Sequence, residues 1–123
     1  MVCDQIGSPT STRELANICW EIIILKRKRN LPFILHWSNS GVASWYDLAN
    51  AIGSIGYEIG LLKKKAIVYP IKSTDYPSPA KRPSYSVLNT SNTQEILKLR
   101  PSYWRDELKE ILYEIMKKSK KII

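Results

Sequence analysis

The sequence predicts an α/β domain with about three main helices and a few short, mostly parallel strands. Three observations lead to this fold class. Apolar residues recur at helical spacing in three stretches, and short runs of β-branched and aromatic residues lie between them. Two of the helical stretches also open with a capping box, in which a serine is followed three positions later by an acidic residue. The resulting order of helix, strand, helix, strand and helix is typical of a layered α/β or α+β structure.

The first helix is predicted to begin after Ser11, which forms a capping box with Glu14. It ends in the basic run at residues 26–29, where positive charge suits the negative end of the helix dipole. The apolar stripe of this helix is Leu15, Ile18, Cys19, Ile22 and Leu25.

The next element is the continuous apolar and aromatic run at residues 33–37, Phe-Ile-Leu-His-Trp. A run of this kind predicts a strand that is buried on both faces. The single histidine, His36, lies within it. This position favours a packed, hydrogen-bonded side chain over a catalytic base, which needs partners and access.

The second helix begins at Ser44, which forms a capping box with Asp47, and ends at Gly60 as a left-handed stop. A short strand is predicted for residues 66–71. Residues 72–83 contain three prolines, which predicts a shaped loop rather than regular structure. The core stripe of the second helix is Leu48, Ala51, Ile52, Ile55 and Ile59.

The last third of the chain predicts two further helices. Thr90 or Ser91 can cap a short helix that runs to Leu97, and the final helix follows Pro101 and Ser102. One face of the final helix carries Trp104, Leu108, Ile111, Leu112 and Ile115.

Length, charge and cysteine usage exclude several classes. With 123 residues the chain is expected to form one domain, and 19 Lys and Arg against 11 Asp and Glu give a net charge of +8. The basic clusters at residues 26–29, 63–65 and 117–121 fall at predicted helix ends without interleaved aromatic residues, so nucleic-acid binding is disfavoured. Cys3 and Cys19 suggest reduced, mostly buried thiols. The sequence shows no secretory signal and no membrane span, which predicts a cytoplasmic protein.

Two segments carry more polar and rigid residues than packing alone requires. Residues 4–10, Asp-Gln-Ile-Gly-Ser-Pro-Thr, form a tight turn that leads into the first helix, and such turns direct polar groups and free amides toward a ligand. Residues 76–83 form a proline-rich loop in which Arg82 is suited to bind a diphosphate. A surface turn with solvated charges explains this loop equally well.

These segments resemble the C-terminal part of the dTDP-4-dehydrorhamnose reductases, which belong to the extended short-chain dehydrogenase family. The similarity runs almost end to end. It rests on residues 4–10 with 14–16, residues 36–47, residues 70–88 and residues 104–108.

The resemblance implies that residues 1–123 are the single C-terminal, substrate-side portion of a Rossmann-type enzyme whose N-terminal Rossmann domain is absent. The complete family enzyme reduces dTDP-4-dehydro-6-deoxy-L-mannose to dTDP-L-rhamnose with NADPH. In the family, the strand that matches residues 33–37 joins the edge of the cofactor sheet. The chain is therefore expected to expose an apolar edge and to associate with a separate Rossmann half or with itself.

The resemblance also limits which site residues can be assigned. The glycine motif for the cofactor and the catalytic Tyr-x-x-x-Lys are missing, and Tyr113 with Lys117, which match the spacing, lie on the last helix without a glycine loop. No catalytic residue is therefore expected, and the chain alone should neither bind NADPH nor transfer hydride. Arg82 is a candidate for binding the diphosphate, and Gln5 and Thr10 are candidates for the rim of the sugar site.

Some family members also use Mg²⁺, for which no ligands can be placed in this sequence. Two alternatives to a partial reductase remain open. One is a stand-alone module that binds dTDP-sugars without catalysis. The other, less favoured, is a basic nucleic-acid-binding protein.

Overall fold

The computed structural model describes residues 1–119, which contain four helices and a small two-stranded sheet. The elements in chain order are β1 (Ile6–Gly7), α1 (Thr12–Lys26), β2 (Ala43–Ser44), α2 (Trp45–Glu58), a 3₁₀ turn (Ser73–Asp75), α3 (Ser91–Leu97) and α4 (Trp104–Ser119). The predicted α/β class is confirmed, including the short third helix. Lys120 and Lys121, part of the last basic cluster, lie outside the described residues.

The main core lies between α2 and α4. It is formed by apolar side chains that are almost completely buried, and further apolar side chains pack around them at partial burial. The buried members are Ala43, Ala51, Ile55, Trp104 and Leu112, and the flanking ones are Leu48, Ile59, Leu61 and Leu108. The helical spacing of the second and last apolar stripes therefore predicts this core correctly.

The starts of α1 and α2 are both capped, but in different ways. Ser44 and Asp47 form the complete capping box that the sequence predicts. At α1 only half of the box is present, since the Ser11 side chain accepts from the backbone N–H of Glu14 while the Glu14 carboxylate binds elsewhere. Gly60 has a φ of 76°, as expected for a left-handed stop after α2.

The strand predicted at residues 33–37 does not form. Phe33 is fully exposed and Ile34 is 66% exposed, whereas Trp37 is buried. Within the described part of the chain, the backbone N–H groups of residues 33–35 donate no hydrogen bond. A strand needs a neighbouring strand to satisfy these groups, and residues 1–119 supply none beside this run.

The prediction for His36 is also wrong. Its side chain is exposed, and only its backbone N–H is bound, by the hydroxyl of Thr93 at 3.1 Å. Cys19 is exposed as well, while Cys3 is half-buried. Both errors come from assigning residues to a core that this side of the molecule does not have.

The second predicted strand, residues 66–71, is reduced to a single bridge between Val2 and Ile71. Ile67 and Tyr69 in this stretch are mostly exposed. The one sheet among the described residues pairs β1 with β2 in antiparallel register, with Ile6 opposite Ser44. Parallel pairing is confined to three isolated bridges, so the prediction of mostly parallel strands holds only for these.

Candidate functional site

A cavity of about 700 Å³ lies where the β1–α1 turn, the first turns of α2, the middle of α4 and the proline-rich loop meet. Its volume is in the range of small-molecule sites. All three residues that the sequence analysis selected, Gln5, Thr10 and Arg82, line this cavity. The structure therefore brings together side chains that are up to 77 positions apart, since 82 − 5 = 77.

Asp4 and Gln5, the two residues that precede β1, are tied through Ser73 to the 3₁₀ turn that leads into the proline-rich loop. The amide Nε2 of Gln5 donates to the Ser73 hydroxyl at 3.0 Å. That hydroxyl and the Ser73 backbone N–H both donate to the carboxylate of Asp4. These hydrogen bonds lower the pKa of Asp4 and anchor one end of the loop that carries Arg82.

Thr10 shapes the turn itself. Its hydroxyl donates to the carbonyl oxygen of Ser8 at 2.9 Å and accepts from the backbone N–H of Asn39 at 3.4 Å. The donor hydrogen of Thr10 is thus used within the turn. Thr10 holds the rim of the cavity in shape and leaves acceptor capacity for a ligand.

The floor beside this turn is fixed by a buried polar network around Asn39, which is 2% exposed. Asn39 accepts from the backbone N–H of Ser11 at 2.7 Å and donates to the Glu14 carboxylate at 2.6 Å and to the Ser102 carbonyl at 3.0 Å. The indole N–H of Trp37 donates to the other oxygen of Glu14 at 3.0 Å. We call these five residues the Asn39 hub.

The acidic and the basic side chain that line the cavity differ in whether they are already engaged in an ion pair. Glu107 lines the cavity, but Arg13 lies 3.4 Å from its carboxylate and also pairs with Glu114. Arg82 is exposed and forms no hydrogen bond or ion pair with any residue in the range 1–119. The cavity therefore presents one unengaged guanidinium to an anionic ligand, while its acidic side chain is already partnered.

Another part of the cavity wall is apolar, and its residues were not predicted to belong to a site. It includes Trp45, Leu48 and Ile52 from α2, together with Leu108 and Ile111 from α4. The sequence pattern placed Leu48 and Ile52 in the core, and Trp45 was given no role. The available signal was that Trp45 lies outside the core stripe, at the first residue of the helix.

The described residues do not fit a dinucleotide cofactor. The β1–α1 turn contains one glycine, Gly7, where a Cβ would meet the Ser86 hydroxyl at 3.1 Å, and the N-terminus of α1 is already capped by Ser11. A dinucleotide site of the glycine-loop type needs several glycines and free amides at this position. We therefore assign no step of a hydride transfer to these residues.

In the part of the chain that the structure describes, no group of three or more His, Cys, Asp or Glu side chains is arranged to hold a metal ion. None of the helices described is long and apolar enough to cross a membrane.

This combination of helices, a small sheet and a polar and apolar cavity defines a ligand-binding portion of an α/β fold. The family model described as the RmlD substrate binding domain matches residues 1–117, and the chain belongs to this family.

Two relatives support the same assignment. The spore coat polysaccharide biosynthesis protein SpsK of Bacillus subtilis is 39% identical over 114 residues, which cover 93% of this chain and 36% of the relative. The dTDP-4-dehydrorhamnose reductase of Aggregatibacter actinomycetemcomitans is 34% identical over 113 residues, covering 90% and 38%. The chain thus spans little more than a third of the length of these relatives.

Solved structures agree with this in fold. The dTDP-4-dehydrorhamnose reductase of Bacillus anthracis, solved in complex with NADP, superposes with a TM-score of 0.77 at 30% identity and covers 92% of this chain and 37% of its own. The ortholog from Clostridium acetobutylicum gives a TM-score of 0.76 at 31% identity, with 94% and 38% covered. The resemblance stated from the sequence motifs is therefore confirmed.

Proposed function

We propose that this chain is the C-terminal, substrate-side portion of a dTDP-4-dehydrorhamnose reductase and binds the dTDP-sugar in the cavity described above. The complete enzyme would reduce dTDP-4-dehydro-6-deoxy-L-mannose to dTDP-L-rhamnose with NADPH, in the cytoplasm. Residues 1–123 would form one unit of that enzyme and supply the binding of the nucleotide sugar, whereas hydride transfer requires a part outside these residues.

The observation that carries the proposal is the position of Arg82. Its guanidinium has no hydrogen-bond or ion-pair partner among residues 1–119 and lines the same cavity as Gln5, Thr10 and the apolar side chains of α2 and α4. A guanidinium can bind two phosphate oxygens at once. Arg82 thus suits the diphosphate, and Gln5, with an amide oxygen that forms no hydrogen bond with the described residues, suits a sugar hydroxyl.

Calorimetry of this chain with dTDP tests the proposal. Wild type should bind, and Arg82→Ala should weaken binding by about 10- to 150-fold, the effect of losing a hydrogen bond to a charged group. Lys81→Ala is the matched control, because Lys81 is an exposed cation one position away that does not line the cavity. Absence of dTDP binding to wild type, or equal losses in both variants, would refute the proposed site.

A stand-alone dTDP-sugar module without catalysis is the second candidate, and the exposed apolar surface of α1 favours the reductase over it. We define the outer α1 face as Trp20, Ile23 and Ile24, which share one side of the helix because Ile23 and Ile24 follow Trp20 by three and four positions. Their exposed fractions range from 45% to 63%. A patch of this kind marks an interaction surface, and we propose that a cofactor-binding part like that of the longer relatives covers it.

A complementation assay separates the two candidates. The separately expressed N-terminal part of a relative is mixed with this chain, and NADPH oxidation is measured with the dTDP-4-dehydro sugar. Activity should appear only in the mixture, and Ile23→Lys on the outer α1 face should lower it by more than Lys26→Ala on the same helix. If the mixture stays inactive while dTDP still binds, the non-catalytic module is the better description.

A further inference from the structure

The apolar wall of the cavity exposes side chains whose helical spacing would otherwise place them in a core. Trp45, Leu48 and Ile52 are three and four residues apart and so lie on one face of α2. Trp45 is 48% exposed and Ile52 is 39% exposed, although both line the cavity. Large apolar groups that face a cavity are explained best by a ligand that covers them.

The backbone at Trp45 is held in place by the capping box and the strand pairing of the preceding residue, Ser44. It is the first residue of α2 and follows Ser44, which is 3% exposed and closes the capping box with Asp47. Ser44 is also paired with Ile6 in the sheet. The backbone at Trp45 is therefore fixed from two sides, at a position from which the side chain lines the cavity.

The cavity as a whole matches a ligand with three different parts. The unpaired Arg82 suits an anionic group, and the polar turn with Gln5, Ser8 and Thr10 suits hydroxyl groups. Among its lining residues, the wall from Trp45 to Ile52 offers one hydrogen-bonding side-chain group, the indole N–H of Trp45, and is otherwise apolar, which suits a flat, weakly polar ring. In a dTDP-sugar, the ring with that character is the thymine base with its methyl group.

Resting on the proposed function, we propose that Trp45 is the base-binding residue of the cavity: the thymine ring stacks on its indole and its methyl group contacts Leu48 and Ile52, while Arg82 holds the diphosphate. Aromatic side chains bind bases through their π faces and apolar contact. Trp45 thus determines affinity for the nucleoside, and Arg82 determines affinity for the phosphates.

Two ligands and three variants of this chain test the assignment in calorimetry. The ligands are dTDP, which contains the base, and inorganic pyrophosphate, which does not. Trp45→Ala should weaken dTDP binding by about 5- to 150-fold and leave pyrophosphate binding unchanged. Trp45→Phe should retain most of the dTDP affinity, because it keeps an aromatic face. Trp20→Ala, which removes an exposed tryptophan that does not line the cavity, is the control and should change neither affinity.

The outcomes separate this inference from the proposed function. Unchanged dTDP affinity in Trp45→Ala overturns the stacking, as does an equal loss for dTDP and pyrophosphate, which would mean that Trp45 supports the phosphate site. If wild type binds no dTDP, the proposed function fails and this inference fails with it. Circular dichroism of Trp45→Ala, compared with Trp45→Phe, checks that the helix is intact.

Discussion

The N-terminal turn of α1 and the outer α1 face differ in what they bury and what they expose. At its N-terminal turn, α1 is held by the Asn39 hub, in which a fully buried amide satisfies a backbone donor, a carboxylate and a carbonyl. On the outer α1 face, Trp20 is 63% exposed and Ile23 and Ile24 are nearly half exposed. Polar groups are therefore inside and apolar groups outside, the reverse of the usual distribution.

This contrast shows that the Asn39 hub and the outer α1 face have different partners. The hub is complete within the described residues, because each of its buried polar groups has a hydrogen-bond partner, so burying it costs little. Contact with water does not stabilise the apolar side chains of the outer α1 face, and no residue in the range 1–119 covers them. The hub therefore stabilises this chain by itself, whereas the outer α1 face can be buried only by another surface.

The largest effect is expected when the hub is broken. Asn39→Ala removes three hydrogen bonds at once and leaves the Ser11 N–H and the Ser102 carbonyl without that partner. We expect the free energy of unfolding to fall by about 2–4 kcal/mol, measured by urea denaturation.

The matched control for the hub is Asn17→Ala, an exposed asparagine on α1, which should change stability by less than about 0.5 kcal/mol. A loss below about 1 kcal/mol in Asn39→Ala would show that water replaces the hub without cost and would remove the contrast between the two sides.

A pair of identical substitutions compares the two sides directly. Trp37→Phe takes away the N–H that donates to Glu14 from a side chain that is 8% exposed, and should lower the free energy of unfolding by about 1.5–3 kcal/mol. Trp20→Phe on the outer face should change it by less than about 0.5 kcal/mol. Denaturant curves of the two variants, recorded side by side, give the difference. Equal losses would mean that Trp20 is packed in solution.

The same contrast explains how far the sequence could predict the structure. The periodic stripes of α2 and α4 predicted most of their core, since both helices bury most of their apolar faces within the chain, although Ile52 is 39% and Ile115 is 45% exposed. For α1 the stripe was equally regular, yet only Ile18 among its residues is buried. An apolar stripe at helical spacing predicts that one helix face packs against another surface, but it does not indicate whether that surface belongs to the same chain.

The run at residues 33–37 failed for the same reason. Its composition suits a buried strand, and strand formation depends on a neighbouring strand that the described residues do not provide. For the site, the turn and loop chemistry identified Gln5, Thr10 and Arg82 as neighbours in one cavity. The sequence did not predict that Trp45 lines the same cavity, because its position outside the core stripe of α2 does not say which surface it faces.

A smaller effect is expected at the second polar anchor, the capping box of α2. Ser44→Ala removes the acceptor of the Asp47 N–H and one donor to the Asp47 carboxylate. The loss should be about 1 kcal/mol in urea denaturation, below that of Asn39→Ala, because one end of this anchor is exposed to water. Ser54→Ala, in the middle of the same helix, is the control and should not destabilise the chain. A Ser44→Ala loss as large as that of the hub would mean that burial does not distinguish the two anchors.

The smallest effect concerns the acid stability of that same box. Hydrogen bonds from the backbone and side chain of Ser44 hold the pKa of Asp47 below its usual value of 3.8. In the unfolded chain Asp47 takes up a proton near pH 3.8, whereas in the folded chain it does so only at lower pH, so the unfolded state binds more protons in between. Its contribution to stability is therefore complete above pH 3.8 and is lost as the pH falls through the folded-state pKa. Urea denaturation between pH 5 and the acid limit should show a shallower decline in Asp47→Asn than in wild type, with Ser44→Ala between them. Identical slopes in all three chains would show that the capping box does not lower the pKa of Asp47.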